Sequence, residues 1–210
     1  VELLCVTKLV TPATALALCR LGQHELGENR LDGLSEKVEH LASAGAHARW
    51  HFLGHLQRNK VRRTLPWIKM FHSGDSLRLL RAVNEEASRH GHSQPVLLEV
   101  NVSGDESKHG FDPDEMPSVL EQASLLEFLG VGGLMTMASL VGGPEQARRD
   151  FSALRQLRDQ LGENCPENVR LDDLSMGMSG DFEVAVEEGA TMVRVGSALF
   201  EGIDLEGHGR

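Results

Sequence analysis

Short apolar, β-branched segments alternate with longer segments of helical periodicity along the whole chain, and this alternation limits the possible folds more than any other feature. It is typical of repeated βα units around a parallel sheet. Strands are predicted at residues 3–7, 24–27, 49–53, 68–72, 96–102, 128–135, 170–174 and 192–195. Because this number of units can close on itself, the sequence predicts an α/β protein with a compact (β/α)8 TIM barrel fold.

Helices are predicted between these strands, at residues 12–21, 31–44, 56–64, 76–90, 113–124, 144–161 and 181–188. Two of them have a strong start signal, because Thr11 and Asp112 each place a capping side chain before a proline. The helix after the last strand is expected to be vestigial. A doubly wound open sheet is the alternative, but no Gly-x-Gly-x-x-Gly sequence follows the first strand.

Length and charge limit the class of protein. A chain of 210 residues can bury a full core but leaves little room for a second substrate-binding domain, so one domain over residues 1–210 is expected. The net charge of −10 repels polyanions and disfavours a nucleic-acid partner.

No apolar run approaches the roughly 20 residues that span a bilayer, and no signal peptide is readable. Cys5, Cys19 and Cys165 lack metal-ligand spacing and suggest reduced thiols in a cytoplasm.

Lys8 is the first candidate for chemistry. It ends the first predicted strand and shares the face of Leu4 and Val6, so it points into the barrel if that face lines the interior. A lysine placed there can form a Schiff base, although a lysine that extends from a strand end to solvent is an equally good interpretation. Lys108 is the other candidate, but it lies in a polar loop where we expect it to be solvated, so Lys8 is preferred.

Arg194 is predicted to face the barrel interior from the last strand. Its neighbours Val193 and Val195 share the opposite face, which suits the layer of helices. A guanidinium stays charged and therefore needs an acceptor inside the protein. We expect that acceptor to be a ligand, with a structural salt bridge to Glu99 or Asp172 as the alternative.

The loops after the last two strands are typical of a phosphate site. Gly196 and Ser197 offer backbone donors and a hydroxyl after the eighth strand, where barrels often bind phosphate. Ser179 precedes a helical segment and is a candidate N-cap. Because a helix N-terminus is itself an anion site, Ser179 is also a candidate ligand for an anion. Ser175-Met176-Gly177-Met178 forms the tight approach to it, and Ser175 and Met176 are included among the candidate binding residues.

Two further segments follow predicted strands. Asn29, after the second strand, has an amide that suits a phenolic oxygen of a ligand, or it caps the next helix. His51 and His55 are four residues apart, as in some metal sites. Gly54 between them breaks the helical face that such a pair requires, so no metal site is predicted.

Together these segments resemble the pyridoxal phosphate homeostasis protein family, small barrels similar to the N-terminal domain of alanine racemase. The resemblance covers nearly the whole chain. It rests on Val6-Thr7-Lys8, Gly27-Glu28-Asn29, residues 50–60, Asn101-Val102-Ser103-Gly104, residues 107–111, Gly133-Leu134-Met135-Thr136, residues 174–179 and Arg194-Val195-Gly196-Ser197.

The resemblance implies a site for pyridoxal 5′-phosphate (PLP), held as a covalent aldimine on Lys8. It also implies that Arg194 faces the pyridine nitrogen and that Asn29 lies near the ring. Ser179, Gly196 and Ser197 would hold the phosphate. The sequence departs from the family pattern at Thr7 and Arg30.

The expected function is that of a PLP-binding protein acting in intracellular PLP homeostasis without robust turnover, and PLP-dependent apoenzymes are possible partners. The alternative is a PLP-dependent racemase or decarboxylase of the same barrel type. Two-sided proton transfer needs a second acid/base opposite the lysine, a tyrosine in such racemases, and this chain contains no tyrosine. A barrel enzyme without cofactor would leave Lys8 and Arg194 without a joint role. A monomer is expected because no long exposed apolar stripe is evident.

Overall fold

Eight parallel strands form a closed barrel in the computed structural model, which describes residues 1–105, 108–139 and 141–202. Each strand pairs with its neighbours in chain order, and the last pairs with the first. The strands are β1 (Glu2–Val6), β2 (Glu25–Glu28), β3 (Arg49–Phe52), β4 (Met70–Gly74), β5 (Gln94–Glu99), β6 (Leu129–Met135), β7 (Asp173–Ser175) and β8 (Met192–Val195). The predicted (β/α)8 barrel is confirmed, and every predicted strand overlaps an observed one.

Helices cover the outside of the barrel between successive strands. They are α1 (Pro12–Arg20), α2 (Leu31–Ser43), α3 (Val61–Thr64), α4 (Leu77–His90), α5 (Met116–Ser124), α6 (Gly143–Gly162) and α7 (Phe182–Glu187). The predicted cap at Thr11 is confirmed, because its hydroxyl accepts the Thr14 N–H at 3.2 Å. Of the helices described, none is long and apolar enough to cross a membrane.

Several elements differ from their predicted bounds; the strand expected at residues 96–102, for example, already ends at Glu99. The helix expected at residues 56–64 is a 3-10 turn at Arg58–Lys60 followed by the four-residue α3 and a second 3-10 turn at Leu65–Trp67. No side chain caps this segment at its start, and Pro66 lacks the N–H that a longer helix needs. The strand expected at residues 170–174 begins only at Asp173, and the preceding residues Arg170 and Asp172 are exposed and pair on the surface.

Alternation along the strands separates two apolar cores. The larger core lies between the barrel and the helices and includes Val193 and Val195 of β8. A small cluster fills the barrel interior and consists of Leu4, Met70, Leu97, Met135 and Met192, with Leu53 packed against it. Because neighbouring residues of a strand point to opposite sides, residues two positions from these five also face the interior.

A buried ion pair joins α2 to the barrel. Lys37 of α2 lies 2.9 Å from Oε1 of Glu28 at the end of β2, and both side chains are almost fully buried. The Thr7 hydroxyl donates to the same carboxylate oxygen at 2.7 Å. The pair lies on the outer side of β2, because Leu26 packs in the outer core and Glu28 follows it by two residues.

Gly133 of β6 is a position where only glycine fits. A Cβ built there would lie 2.0 Å from the carbonyl oxygen of Asp173 on β7, whereas a Cβ at the adjacent Gly132 would meet only ordinary contacts, at 3.8 Å and beyond. We therefore expect Gly133→Ala to lower the free energy of unfolding by about 3 kcal/mol, as overpacking against backbone does. Gly132→Ala is the matched control and should change it by less than about 1 kcal/mol. Equal denaturant midpoints for the two variants would contradict the close strand approach.

Candidate functional site

Most of the predicted site residues lie at the carboxyl ends of the strands, where barrel folds place their ligand sites. Lys8 follows β1, Asn29 follows β2, and Ser179 and Ser197 follow β7 and β8. In a closed parallel barrel these ends share one rim, which we call the carboxyl mouth. The strands therefore bring together residues that are up to 189 positions apart in the chain, the separation of Lys8 and Ser197.

Lys8 differs from its predicted position. β1 ends at Val6, so Lys8 lies in the following turn with an exposed side chain instead of inside the barrel. Leu4 does face the interior, as predicted. The prediction of which β1 residues face inward is therefore correct within the strand. Lys8 lies two residues beyond the end of the strand, where this alternation no longer determines the direction of a side chain. Within the described part of the chain, no hydrogen bond or ion pair reaches the Lys8 amine.

Lys108 also differs from expectation. Its amine is not simply solvated, because it donates to the Ser103 hydroxyl and to the Met137 carbonyl, both at 3.1 Å. Ser107, in the same motif, lies outside the described residues. Of the two lysines considered for a Schiff base, Lys8 therefore has the free amine and Lys108 has its amine engaged.

Arg194 lies inside the barrel, as its alternation with two outward valines predicted. It pairs in register with the inward Leu4 and is only 5% exposed. Its guanidinium donates to the Ser175 hydroxyl at 2.6 Å and to the Thr136 carbonyl at 2.9 Å. The remaining guanidinium N–H groups have no acceptor among the described residues, so they are available to a ligand.

The alternative salt bridge for Arg194 is wrong. Asp172 pairs with Arg170 on the surface, and no carboxylate of the described residues lies within ion-pair distance of Arg194. Burial lowers the Arg194 pKa to about 10, against the more distant charges of Glu99 and Asp181, which raise it. The guanidinium is still protonated near neutral pH, so the barrel interior contains a cation whose direct hydrogen-bond acceptors are both neutral.

The loops after β7 and β8 meet at Ser179. Its hydroxyl oxygen accepts hydrogen bonds from the backbone N–H groups of Gly196, at 3.1 Å, and of Ala198, at 3.3 Å. Ser179 is not the N-cap of the next helix, because that position belongs to Asp181. Two backbone donors therefore converge on one oxygen. An oxygen of a bound anion could accept from the same two N–H groups, either together with the Ser179 hydroxyl or in its place.

The approach to this loop depends on Gly177. Its φ of +91° is in the left-handed region, and a Cβ there would lie 2.5 Å from the Ala185 side chain. The neighbouring Met176 side chain is fully buried in the outer core, and its N–H donates to Met192. The Met176 side chain therefore does not face the mouth, while Ser175 is buried and contacts Arg194 directly.

Asn29 is half-buried at the mouth, and the loop after β3 packs closely on its backbone. A Cβ at Gly54 would lie 2.3 Å from the Asn29 carbonyl oxygen. Asn29 does not cap α2, because the cap position is Arg30, which makes no side-chain cap hydrogen bond. The Asn29 amide has no partner among the described residues, so it is open to a ligand.

His51 and His55 do not meet. His51 is buried inside the barrel, whereas His55 lies at the mouth and contacts Asp75 at 2.6 Å. The potential ligand atoms of His55, Asp75 and His109 lie within 4.8 Å of one another. However, the imidazoles of His55 and His109 stack, with ring centroids 4.5 Å apart and ring planes at 16° to each other. Because the nitrogen lone pairs lie in the ring planes, nearly parallel rings do not direct them at one ion.

Sequence reasoning missed a buried row of polar side chains in the barrel interior. Glu25, His51, His72 and Ser175 are linked by hydrogen bonds that end at Arg194. The available signal was strand alternation, since His51 and His72 both occupy inward positions of predicted strands.

Glu99 was considered only as a salt-bridge partner, but it is an isolated acid at the mouth. It is 4% exposed, faces inward from the end of β5 and has no hydrogen-bond partner among the described residues. Burial and the nearby charge of Asp75 together raise its pKa to about 7, against the opposing charges of Arg194 and His55. The site thus contains a carboxyl group that gains or loses its proton near neutral pH.

Comparison with known proteins identifies relatives over nearly the whole chain. The family model for the N-terminal domain of alanine racemase matches residues 3–203. A pyridoxal phosphate homeostasis protein of Aquifex aeolicus is 40% identical over 199 residues, which are 95% of this chain and 86% of the relative. The human pyridoxal phosphate homeostasis protein is 38% identical over 195 residues, covering 85% of this chain and 68% of its own.

Solved structures with a similar fold include relatives of the same kind. PipY of Synechococcus elongatus with PLP bound superposes with a TM-score of 0.88 at 34% identity, covering 95% of this chain and 92% of that one. Without PLP, PipY has a TM-score of 0.90 at 35% identity, with the same coverage. Alanine racemase of Clostridium difficile shares the fold, with a TM-score of 0.78 at 17% identity, and this chain matches 52% of its length.

The Glu99 carboxyl group should make stability depend on pH. Its folded pKa of about 7 is above the ordinary 4.5, so the stability due to its protonated form is complete below about pH 4.5 and is lost as the pH rises through 7. The permanently neutral Glu99→Gln should therefore gain about 3 kcal/mol relative to wild type between about pH 4 and pH 8. Urea unfolding measures this difference. Glu121→Gln, on the exposed face of α5, is the control for loss of a charge, and a Glu99→Gln difference independent of pH would refute the assignment.

Proposed function

This chain belongs to the pyridoxal phosphate homeostasis protein family, and we propose that it binds PLP at the carboxyl mouth and acts in intracellular PLP homeostasis without robust turnover. The observation that carries this proposal is the buried Arg194, which has free N–H groups and no counter-ion among the described residues. A ligand with an acceptor and a negative charge would complete such a site. The PLP-bound structure of the relative PipY supports this choice of ligand.

Lys8 is the proposed attachment residue. When bound, PLP supplies an aldehyde, with which a lysine amine condenses to a Schiff base and releases water. The free amine of Lys8 at the rim supports this assignment, as does its position after β1, the strand that pairs with β8. Lys108, whose amine has two hydrogen-bond partners, is the weaker candidate.

The phosphate is proposed to bind between the loops after β7 and β8. Ser179, Gly196 and Ser197 are the proposed contacts, and the convergence of the Gly196 and Ala198 N–H groups on the Ser179 hydroxyl supports them. Ser175 and Met176 precede this loop and are proposed to support the site indirectly. Ser175 does so by its hydrogen bond to Arg194, and Met176 by its main-chain hydrogen bond to Met192. Asn29, across the mouth, is proposed to lie near the ring.

Arg194 is proposed to face the pyridine nitrogen. A guanidinium is a donor only, so the ring nitrogen would accept a hydrogen bond and remain unprotonated. An unprotonated ring withdraws electrons less strongly, which favours holding the cofactor over using it in catalysis. The absence of tyrosine from the sequence also disfavours a racemase that uses a tyrosine as its second acid/base.

The wider setting is likewise a proposal. We propose that residues 1–210 form one PLP-binding domain that works in the cytoplasm, where its three free cysteines stay reduced. A monomer is supported by the scatter of the most exposed apolar side chains, which belong to separate segments at Val1, Leu21, Leu125 and Val141. PLP-dependent apoenzymes are the proposed recipients of the cofactor.

Lys8→Ala should abolish covalent PLP binding. Wild-type protein incubated with PLP and reduced with borohydride should carry a pyridoxyl group on the peptide that contains Lys8, detected by mass spectrometry. The variant should lack it and should lose the visible absorption of the Schiff base. Lys108→Ala is the matched control and should label like wild type. Labelling of Lys108, or undiminished labelling of the Lys8→Ala protein, would reject the assignment.

Ser179→Ala should weaken binding of the phosphate group of PLP without affecting contacts to the rest of the cofactor. Losing one hydrogen bond to a charged group corresponds to about a tenfold loss of affinity, so the dissociation constant of PLP should rise about tenfold. Pyridoxal, which has no phosphate, should bind as it does to wild type. Ser124→Ala, which removes one hydrogen bond on the remote α5, is the control. An equal effect on both ligands would place Ser179 away from the phosphate.

A further inference from the structure

A continuous row of hydrogen bonds crosses the barrel interior from its amino end to Arg194. Oε2 of Glu25, at the start of β2, lies 2.7 Å from Nε2 of His51. Nδ1 of His51 lies 2.8 Å from Nε2 of His72, and Nδ1 of His72 lies 3.0 Å from the Ser175 hydroxyl. Both histidines are fully buried. Each ring is therefore bonded at both of its nitrogens by a neighbour in the row.

The direction of every hydrogen bond follows from the two ends of the row. The Arg194 guanidinium can only donate, so the Ser175 oxygen accepts from it. The Glu25 carboxylate can only accept, so His51 donates from Nε2 and the Ser175 proton goes to His72 Nδ1. A neutral His72 then carries its proton on Nε2 and donates to His51 Nδ1. His51 in turn carries its proton on Nε2 and donates to Glu25.

The charges at the amino end agree with this direction. Glu25 also accepts from Arg49, and from Lys69 at 3.1 Å. Burial alone would raise the Glu25 pKa, but the hydrogen bonds from His51, Arg49 and Lys69 outweigh it and lower the pKa to about 2. Burial lowers the pKa of both histidines and keeps them neutral. An ionised acceptor at one end and a permanent donor at the other thus leave one consistent set of proton positions.

We propose that Glu25, His51, His72 and Ser175 form a hydrogen-bond relay of fixed direction that positions the Arg194 guanidinium for the cofactor ring. The four are positioning residues, since they act through Arg194. A carboxylate at the amino end of the barrel thereby sets the orientation of a cation near the opposite end. The effect on the ring rests on the proposed function, whereas the relay itself is a property of the unliganded protein.

Glu25→Gln should reverse the relay. The two cations bind Oε1 of Glu25 and His51 binds Oε2, so the glutamine carbonyl would turn toward the cations and its NH2 toward His51. His51 would then accept at Nε2 and carry its proton on Nδ1, and His72 would follow. The Ser175 proton would lose its acceptor inside the barrel, which weakens the support of Arg194.

The tautomers can be read directly by NMR of the unliganded protein with 15N-labelled histidine. In wild type both His51 and His72 should carry the proton on Nε2, and in Glu25→Gln both should carry it on Nδ1. Glu28→Gln is the matched control, because it neutralises a buried carboxylate of the same strand on the outer side, and it should leave both tautomers unchanged. An imidazolium or an Nδ1–H tautomer at either site in wild type would overturn the relay, and that test needs no variant.

Cofactor affinity tests the link to the ring. PLP should bind Glu25→Gln about tenfold more weakly than it binds wild type or Glu28→Gln, the effect of weakening one hydrogen bond to a charged group. Equal affinity for all three proteins, with the tautomers reversed, would overturn the coupling to Arg194. Failure of wild type to bind PLP would instead reject the proposed function and leave the tautomer result standing.

Discussion

A permanently charged guanidinium inside a closed barrel is the constraint on which the rest of the structure depends. Moving a cation out of water costs several kcal/mol unless its N–H groups find acceptors. Arg194 receives two, the Ser175 hydroxyl and the Thr136 carbonyl, and no adjacent carboxylate among the described residues. The interior must therefore supply oriented dipoles, and a ligand acceptor would supply the rest. This requirement explains why polar side chains occupy the inner side of β2, β3, β4 and β7.

The two apolar cores differ in size and in their neighbours. The large core between strands and helices contains most of the buried apolar side chains, while the interior contains a small cluster of leucines and methionines beside the hydrogen-bonded row. Methionine adapts its shape to irregular space, which suits positions next to fixed imidazole rings. Glycines such as Gly54 and Gly133 allow backbones to approach more closely than a Cβ permits. The precision of the mouth thus depends on backbone packing as much as on the proposed contact residues.

Much of the fold was predictable because the relevant signals are local. Strand alternation correctly assigned Arg194 to the interior and its flanking valines to the helix layer, and the cap at Thr11 followed from two adjacent residues. Lys8 was placed inside because the prediction extended the alternation of β1 to Lys8, whereas the strand ends at Val6. The helix at residues 56–64 was overextended for a similar reason, since neither periodicity nor propensity measures where hydrogen bonding stops.

The sequence by itself determined the order of elements, the family and the residue types at the mouth, since periodicity and short motifs are written in neighbouring positions. Only the tertiary structure decided that Glu25, His51, His72 and Ser175 connect, because these residues are brought into contact by barrel closure across as many as 150 positions of chain, from Glu25 to Ser175. It also decided that the amine of Lys108 is engaged and that of Lys8 is free. Hydrogen-bond partners depend on distance and angle in space, and spacing along the chain contains neither.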